Sequence, residues 1–130
     1  MFNAVCSRVP LTDMVRFSKF GMAIRWTHEY GDPKVKEELE NILKWSPYHN
    51  VKENVKYPNF LFTTGEKDSR VDPLHARKMA AILQDVEKEN DVLIYTEIDA
   101  GHGSGKPTSK IIEGQALLLS FFSKSLGMDI

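Results

Sequence analysis

Apolar and polar positions along the 130 residues change their period several times, and each change predicts an element. The run Ala4–Val9 is short and largely apolar, and Pro10 ends it, which predicts a strand. Thr12 or Asp13 is placed to cap a brief helix over residues 14–20. Residues 20–31 are rich in aromatics without a clear period and read as irregular. Val35, Leu39, Ile42 and Leu43 then fall on one helical face, with Asp32-Pro33 as the start and Ser46-Pro47 as the stop. Residues 46–58 read as a loop. Phe60–Thr64 has little alternation, the pattern of a parallel strand buried on both faces. Asp72-Pro73 opens a second helix whose apolar side is Ala76, Met79, Ala80, Ile82 and Leu83. Residues 85–91 read as a charged, solvated linker and 91–98 as a strand. Pro107-Thr108-Ser109 starts a long final helix that offers Ile111, Ile112, Leu118, Leu119, Phe122 and Leu126 to the core. Alternation of strands with helices predicts class α/β, a mostly parallel sheet flanked by helices.

Bulk properties narrow the class of function. The length suits one domain at most, and a chain of this size buries roughly two thirds of the surface it exposes when unfolded. The net charge of −1 gives no general attraction to nucleic acid or to an anionic membrane, so neither is expected as a partner. No apolar run approaches a membrane span, and Arg8, Asp13 and Arg16 interrupt any signal-peptide core in the first twenty residues. Cys6 is the single cysteine, which rules out an internal disulfide and fits a reducing compartment. A cytosolic (cytoplasmic) protein is the expectation.

The candidate chemistry lies at the ends of the last two strands. Asp68 sits in the turn Gly65-Glu66-Lys67-Asp68-Ser69-Arg70-Val71, directly after the apolar run at 60–64. His102 sits in Ala100-Gly101-His102-Gly103, directly after the next run. An acid and then a histidine, each following a strand, is the order of the last two triad members in an α/β-hydrolase. No Gly-x-Ser-x-Gly occurs in the chain, so the nucleophile is missing from the pattern. Taken singly, Asp68 reads as a turn aspartate bonded to its own backbone and His102 as a turn histidine. His28-Glu29 begins like a zinc-protease helix, but Asp32 stands where the second histidine is needed, so no metal is expected. The stretch Gly101–Lys106 resembles a phosphate loop and fails as one: Ala100 replaces the first glycine, and Pro107 replaces the magnesium-binding Ser or Thr. A glycine loop ahead of a helix remains the setting of an anion site, which keeps anion or nucleotide binding as an alternative. His49 and His75 read as loop and helix-start residues bonded to backbone, and Cys6 as a buried small hydrophobe.

Several longer stretches carry a resemblance. They are Val9-Pro10-Leu11-Thr12-Asp13-Met14, Trp26-Thr27-His28-Glu29-Tyr30-Gly31, Trp45-Ser46-Pro47-Tyr48-His49-Asn50-Val51, Asp68-Ser69-Arg70-Val71-Asp72-Pro73-Leu74-His75 and Ala100-Gly101-His102-Gly103-Ser104-Gly105-Lys106-Pro107-Thr108. In this order and spacing, residues 2–126 resemble the C-terminal end of the prolyl oligopeptidase family of serine peptidases (peptidase S9, prolyl endopeptidase). The resemblance implies that residues 1–130 form a partial domain, the C-terminal half of an α/β-hydrolase fold, without the family's β-propeller. It implies hydrolysis of peptide bonds after proline, with Asp68 as the triad acid and His102 as the base. It makes Arg70 the donor to a substrate carbonyl. It places Trp26, Tyr30 and Val71, with Leu11, around a flat apolar pocket that suits a proline ring. No cofactor or metal is implied. The nucleophile elbow, the oxyanion-hole tyrosine and the propeller would lie upstream of Met1. On that reading the chain is a truncated frame, a split-gene half or an expressed fragment, inactive alone and acting on proline-containing peptides once joined to an upstream half. An open edge at residues 5–9 or 60–64, with Phe60 and Phe62 exposed, predicts a homo-oligomer. The alternatives are a non-catalytic remnant, or Ser69 or Ser104 as a replacement nucleophile. Neither serine has an elbow or an oxyanion hole in the sequence.

Overall fold

The computed structural model describes residues 2–103 and 106–128. In chain order it contains β1 (Ala4–Arg8), 3-10 turns at Phe17–Lys19 and Gly21–Trp26, α1 (Thr27–Tyr30) and α2 (Lys36–Trp45). A 3-10 turn at Tyr48–Asn50, β2 (Asn59–Gly65), α3 (Leu74–Val86), β3 (Val92–Glu97) and α4 (Thr108–Leu126) complete it. The strands form one sheet in the order β1-β2-β3, parallel throughout. The α/β class with a parallel, helix-flanked sheet is therefore observed.

The register explains both faces. Cys6, Leu61 and Leu93 share one row, and Ser7, Phe62 and Ile94 the next. Successive rows point to opposite faces, so Phe60, Phe62 and Val92 lie on one side and Leu61, Thr63 and Tyr95 on the other. α3 covers the first side: Ala76, Ala80 and Leu83 pack on Phe62 and Val92 in one buried cluster. The stacked rings of Phe60 and Phe62, with centroids 5.3 Å apart, continue it. Phe62 is thus 2% exposed and Phe60 half-buried, which corrects the expectation that truncation leaves them open. β2 is the middle strand, the reason its sequence lacks alternation.

α4 crosses the other face and is the clearest departure from the sequence reading. Its buried side chain is Phe121, which periodicity did not single out. Ile111, Ile112, Leu119 and Leu126 are half or more exposed. The helix is apolar on more than one side, and the sheet covers only one of them. No described helix is long and apolar enough to cross a membrane.

A second cluster holds the N-terminal third. Met14, Phe17, Ala23 and Ile42 are buried together, with Leu11, Trp26 and Tyr30 packed against them. Residues 20–31, expected to be irregular, are mostly helical turns. A backbone run close to a core needs its polar groups paired, and short helical turns pair them locally. The helix expected from Pro33 begins only at Lys36. Asp32 commits its groups to a tighter turn: Oδ1 accepts the Lys34 N–H at 2.9 Å and its carbonyl accepts the Val35 N–H at 2.9 Å. That leaves Val35 extended as the residue before the helix.

Candidate active site

β2 and β3 end side by side at their carboxyl termini, and the loops leaving them carry Asp68 and His102. The Asp68 carboxylate is fully buried. Its Oδ1 accepts the N–H groups of Arg70 at 2.9 Å and Val71 at 3.0 Å, a turn closed by the aspartate's own side chain. Oδ2 stays free for His102, whose Nδ1 lies 2.8 Å away. A carboxylate has no hydrogen to give, so Nδ1–H is the donor and Nε2 keeps its lone pair. The imidazole is 36% exposed, so it is reachable from solvent.

The two loops are laced to each other. Lys67 N–H donates to the Ala100 carbonyl and Glu66 N–H to the Glu97 carbonyl, both at 2.9 Å. Asp99 N–H donates to Glu66 Oε2 at 3.1 Å, and Lys67 pairs with Asp99 at 2.5 Å. Lys67 holds the Asp99 carboxyl below its ordinary range. At Gly65 the backbones come closest. A Cβ built there meets the Gly101 carbonyl at 2.5 Å and the Ala100 carbonyl at 2.6 Å, so a side chain would push the histidine loop away.

The imidazole lines a cavity of about 300 Å³ between α4 and the sheet, together with Cys6, Arg8, Tyr95, Glu97 and Lys106. That is the lower end of the usual size for a small-molecule site. Lys106 is ion-paired to Glu97. Cys6 is partly buried rather than a core residue, and burial pushes its thiol pKa up while Arg8 draws it down more weakly.

The remaining sequence-picked residues gather on the other side of the acid loop. The Arg70 guanidinium sits over the Trp26 ring, 5.8 Å from its centroid. Val71 is buried beside Asp68, to which its N–H donates. Leu11, Trp26 and Tyr30 pack on the Met14 cluster, and Tyr30 meets Phe17 edge-on at 5.9 Å. Met22 N–H donates to the Ser69 carbonyl at 3.2 Å, which docks the Trp26 segment directly onto the acid loop. Gly21 makes that approach possible. It has φ +52, and a Cβ there would lie 2.3 Å from Ser69 O. Of the two replacement nucleophiles considered, Ser69 lies in this docked turn, and Ser104 lies outside the described residues, as does Gly105 of the glycine-rich loop.

His75 does bond backbone, its Nδ1 accepting the Asp13 N–H at 3.1 Å. His49 instead meets the Ser46 hydroxyl at 2.8 Å. Asp13, read from sequence as a local cap, does accept the Arg16 N–H at 3.2 Å, but it is also fully buried among residues from two distant segments. The sequence signal for that role was a charged residue inside an otherwise apolar stretch.

Known proteins are similar to this chain in sequence and fold. The family model described as "Prolyl oligopeptidase family" matches residues 1–129. Prolyl oligopeptidase dbiP of Dendrothele bispora is 37% identical over 133 residues, which cover 100% of this chain and 18% of the relative. A prolyl endopeptidase of Elizabethkingia miricola is 38% identical over 122 residues, covering 92% of this chain and 17% of that protein. A solved structure from a structural and mechanistic study of two prolyl endopeptidases superposes with a TM-score of 0.94 at 38% identity, over 98% of this chain and 19% of the other. A post-proline cleaving enzyme from Rickettsia typhi gives 0.90 at 34% identity, over 99% and 18%. The chain thus spans less than a fifth of the length of these curated relatives.

Proposed function

Because this chain belongs to the prolyl oligopeptidase family, as a C-terminal part of its α/β-hydrolase catalytic domain, we propose that it supplies the acid and the base of a serine peptidase acting after proline. The observation that carries this reading is the 2.8 Å bond from His102 Nδ1 to a buried Asp68 whose other oxygen is already occupied. In that role Asp68 fixes the tautomer and stabilises the imidazolium that forms. His102 Nε2 takes the proton of an attacking serine and returns it to the leaving amine. Trp26, with Tyr30, Leu11 and Val71 behind it, forms the apolar wall for a proline ring, and Arg70 donates to a carbonyl of the peptide. The nucleophile and the oxyanion donors come from polypeptide outside these 130 residues, since no Gly-x-Ser-x-Gly occurs within them.

The exposed apolar positions of α4 and the β1 edge, unpaired among the described residues, are the surfaces that another polypeptide covers on this reading. For the isolated chain the proposed occupant is a second copy, with light scattering across a dilution series as the measurement. A compact monomer at micromolar concentration would end that part of the proposal.

The direct test is chromophore release from a proline-linked substrate. The chain alone is expected to give no steady turnover. Mixed with a polypeptide carrying the family's upstream catalytic segment, it is expected to gain activity that His102→Ala abolishes. Turnover by the chain alone that His102→Ala removes would overturn the inactivity. Activity of the mixture that is indifferent to His102→Ala would overturn the assignment of the base.

A further inference from the structure

The molecule contains a second buried polar centre, away from the Asp68–His102 pair. Asp13, Ser46 and His75 are all fully or nearly fully buried, on three segments distant in sequence. The Asp13 carboxylate accepts from the Arg16 guanidinium at 3.1 Å and pairs with the Lys78 ammonium from α3. His49 Nε2 stands 3.8 Å from its other oxygen. The flanking groups knit the same three segments. Thr12 Oγ1 donates to the His75 carbonyl at 2.7 Å. The Thr12 carbonyl accepts from Tyr48 N–H at 3.1 Å and Ser46 Oγ at 3.3 Å. Met14 N–H donates to Ser46 Oγ at 3.2 Å, and Lys78 sits over the Tyr48 ring at 4.1 Å.

The position of this centre in the chain gives it a consequence. Residues 12–14 lead into the turns that carry Trp26 and Tyr30. Residues 75–78 lie at the start of α3, directly after the Asp68–Val71 loop. Apolar packing of Met14, Phe17, Ala23 and Ile42 is non-directional and stays within the N-terminal third, so beside the Met22–Ser69 bond the register between the two regions rests on polar contacts. Buried hydrogen bonds and ion pairs are directional and lose much when one partner is displaced. We propose that Asp13 is a positioning residue that holds the aromatic wall at Trp26 in register with the acid loop at Asp68–Val71, through its buried contacts to Arg16, His49, His75 and Lys78. The proposal rests on the assignment of Trp26 to the proline pocket for what the wall is used for. Asp13 itself touches neither the dyad nor the reacting bond.

The centre also requires a neutral His75. Its Nδ1 accepts the Asp13 N–H, and a proton on that nitrogen would turn an acceptor into a second donor. His75 faces Asp13, Asp72 and Lys78, and His49 faces Asp13, Arg16 and Lys78. Acid is therefore expected to loosen the register as loss of the Asp13 charge does.

The test uses the whole chain with Trp45→Phe, which leaves Trp26 as the single indole. Its indole N–H resonance reports the wall, and the His102 Nδ1–H resonance reports the dyad separately. Asp13→Asn keeps the shape and removes the charge. The expected result is a displaced or broadened Trp26 signal in a folded protein whose His102 signal stays in place. His75→Asn keeps an acceptor near the Nδ1 position and cannot titrate. It is expected to retain the Trp26 signal at neutral pH and to lose the movement that the parent shows on acidification. Val86→Ala, which thins the core on the α3 side, is the control and is expected to lower stability without moving Trp26. A folded Asp13→Asn protein with an unmoved Trp26 signal would overturn the proposal. Should that variant fail to fold, His49→Asn keeps a polar group near the Nδ1 position facing Ser46 and removes only the Nε2 approach to Asp13, and an unmoved Trp26 signal there overturns it equally. Absence of a His102–Asp68 signal in the parent would count against the assignment of the dyad and leave the Trp26 result readable.

Discussion

Removing the Asp68 carboxylate takes three hydrogen bonds away at once, and the structure allows their loss to be apportioned. In Asp68→Ala the Val71 N–H loses its acceptor in a buried position, the Arg70 N–H loses its acceptor at a partly solvated one, and His102 Nδ1–H loses a charged partner. A stranded buried donor costs about 1–3 kcal/mol, and a bond to a charged group contributes about 1.5–3 kcal/mol. Water can reach Arg70 and the exposed edge of the imidazole, so the sum falls to about 3–5 kcal/mol. That is a large part of the ~5–15 kcal/mol that a domain has in total. Asp68→Asn behaves differently. Its oxygen must stay on the two backbone donors, because an amide NH₂ there would face two N–H groups. The NH₂ then points at His102 and can only donate, so the imidazole must switch to the Nε2–H tautomer. One charge-assisted bond becomes a neutral one, a loss of about 1–2 kcal/mol. Urea unfolding curves on both variants, with ¹⁵N shifts of the His102 ring, measure the two effects. Equal destabilisation by the two substitutions, or an unchanged tautomer in Asp68→Asn, would refute the division of labour between Oδ1 and Oδ2.

Stability is expected to fall on acidification in two stages. Burial holds His75 and His49 below the ordinary 6.5 although Asp13 draws them up, so their contribution is complete above about pH 6.5 and is lost as pH falls through the depressed folded values. Burial pushes Asp13 up, but Lys78 and Arg16 outweigh it, and this contribution is lost below the ordinary 3.8. A urea midpoint that stays flat from pH 7 to pH 5 would contradict the first stage. Leu83→Ala opens a void under β2 and is expected to cost about 2–5 kcal/mol by denaturation, with the His102 Nδ1–H signal retained; a loss under ~1 kcal/mol would mean the cluster with Phe62 and Val92 is not packed as described. Cys6 is expected to react with iodoacetamide more slowly than a free thiol at pH 7 and at the normal rate in urea, because burial raises its pKa; equal rates in the folded state would show an open, unshifted thiol.

The elements that the sequence alone determined are those whose signals are local. Pro10 ended β1, Ser46-Pro47 ended α2, and Asp72 stands just before α3 with its Oδ1 on the Leu74 N–H at 2.9 Å. The apolar run at 60–64 announced a buried parallel strand, but the sequence also offered it as an open edge, and only its pairing with both β1 and β3 made it the middle strand. The succession strand, acid, strand, histidine was also legible, because parallel strands deliver their exit loops to one rim of the sheet. Other features depend on groups far apart in the chain, and only the tertiary structure decided them. Periodicity showed α4 to be apolar but not which side the sheet would take, so Phe121 is buried while Ile112 and Leu119, offered equally by the sequence, are 63% exposed. Asp13 does accept the Arg16 N–H, but the helix expected over 14–20 is only a turn followed by the 3-10 turn at Phe17–Lys19, and the Asp13 charge is balanced by Lys78 from α3 and approached by His49 from a third segment. The close approach at Gly65 was equally invisible, since a glycine in a strand end does not say which backbone it admits. Hydrophobic period and turn chemistry act over a few residues, whereas a buried charge takes whichever partners the packed chain brings to it.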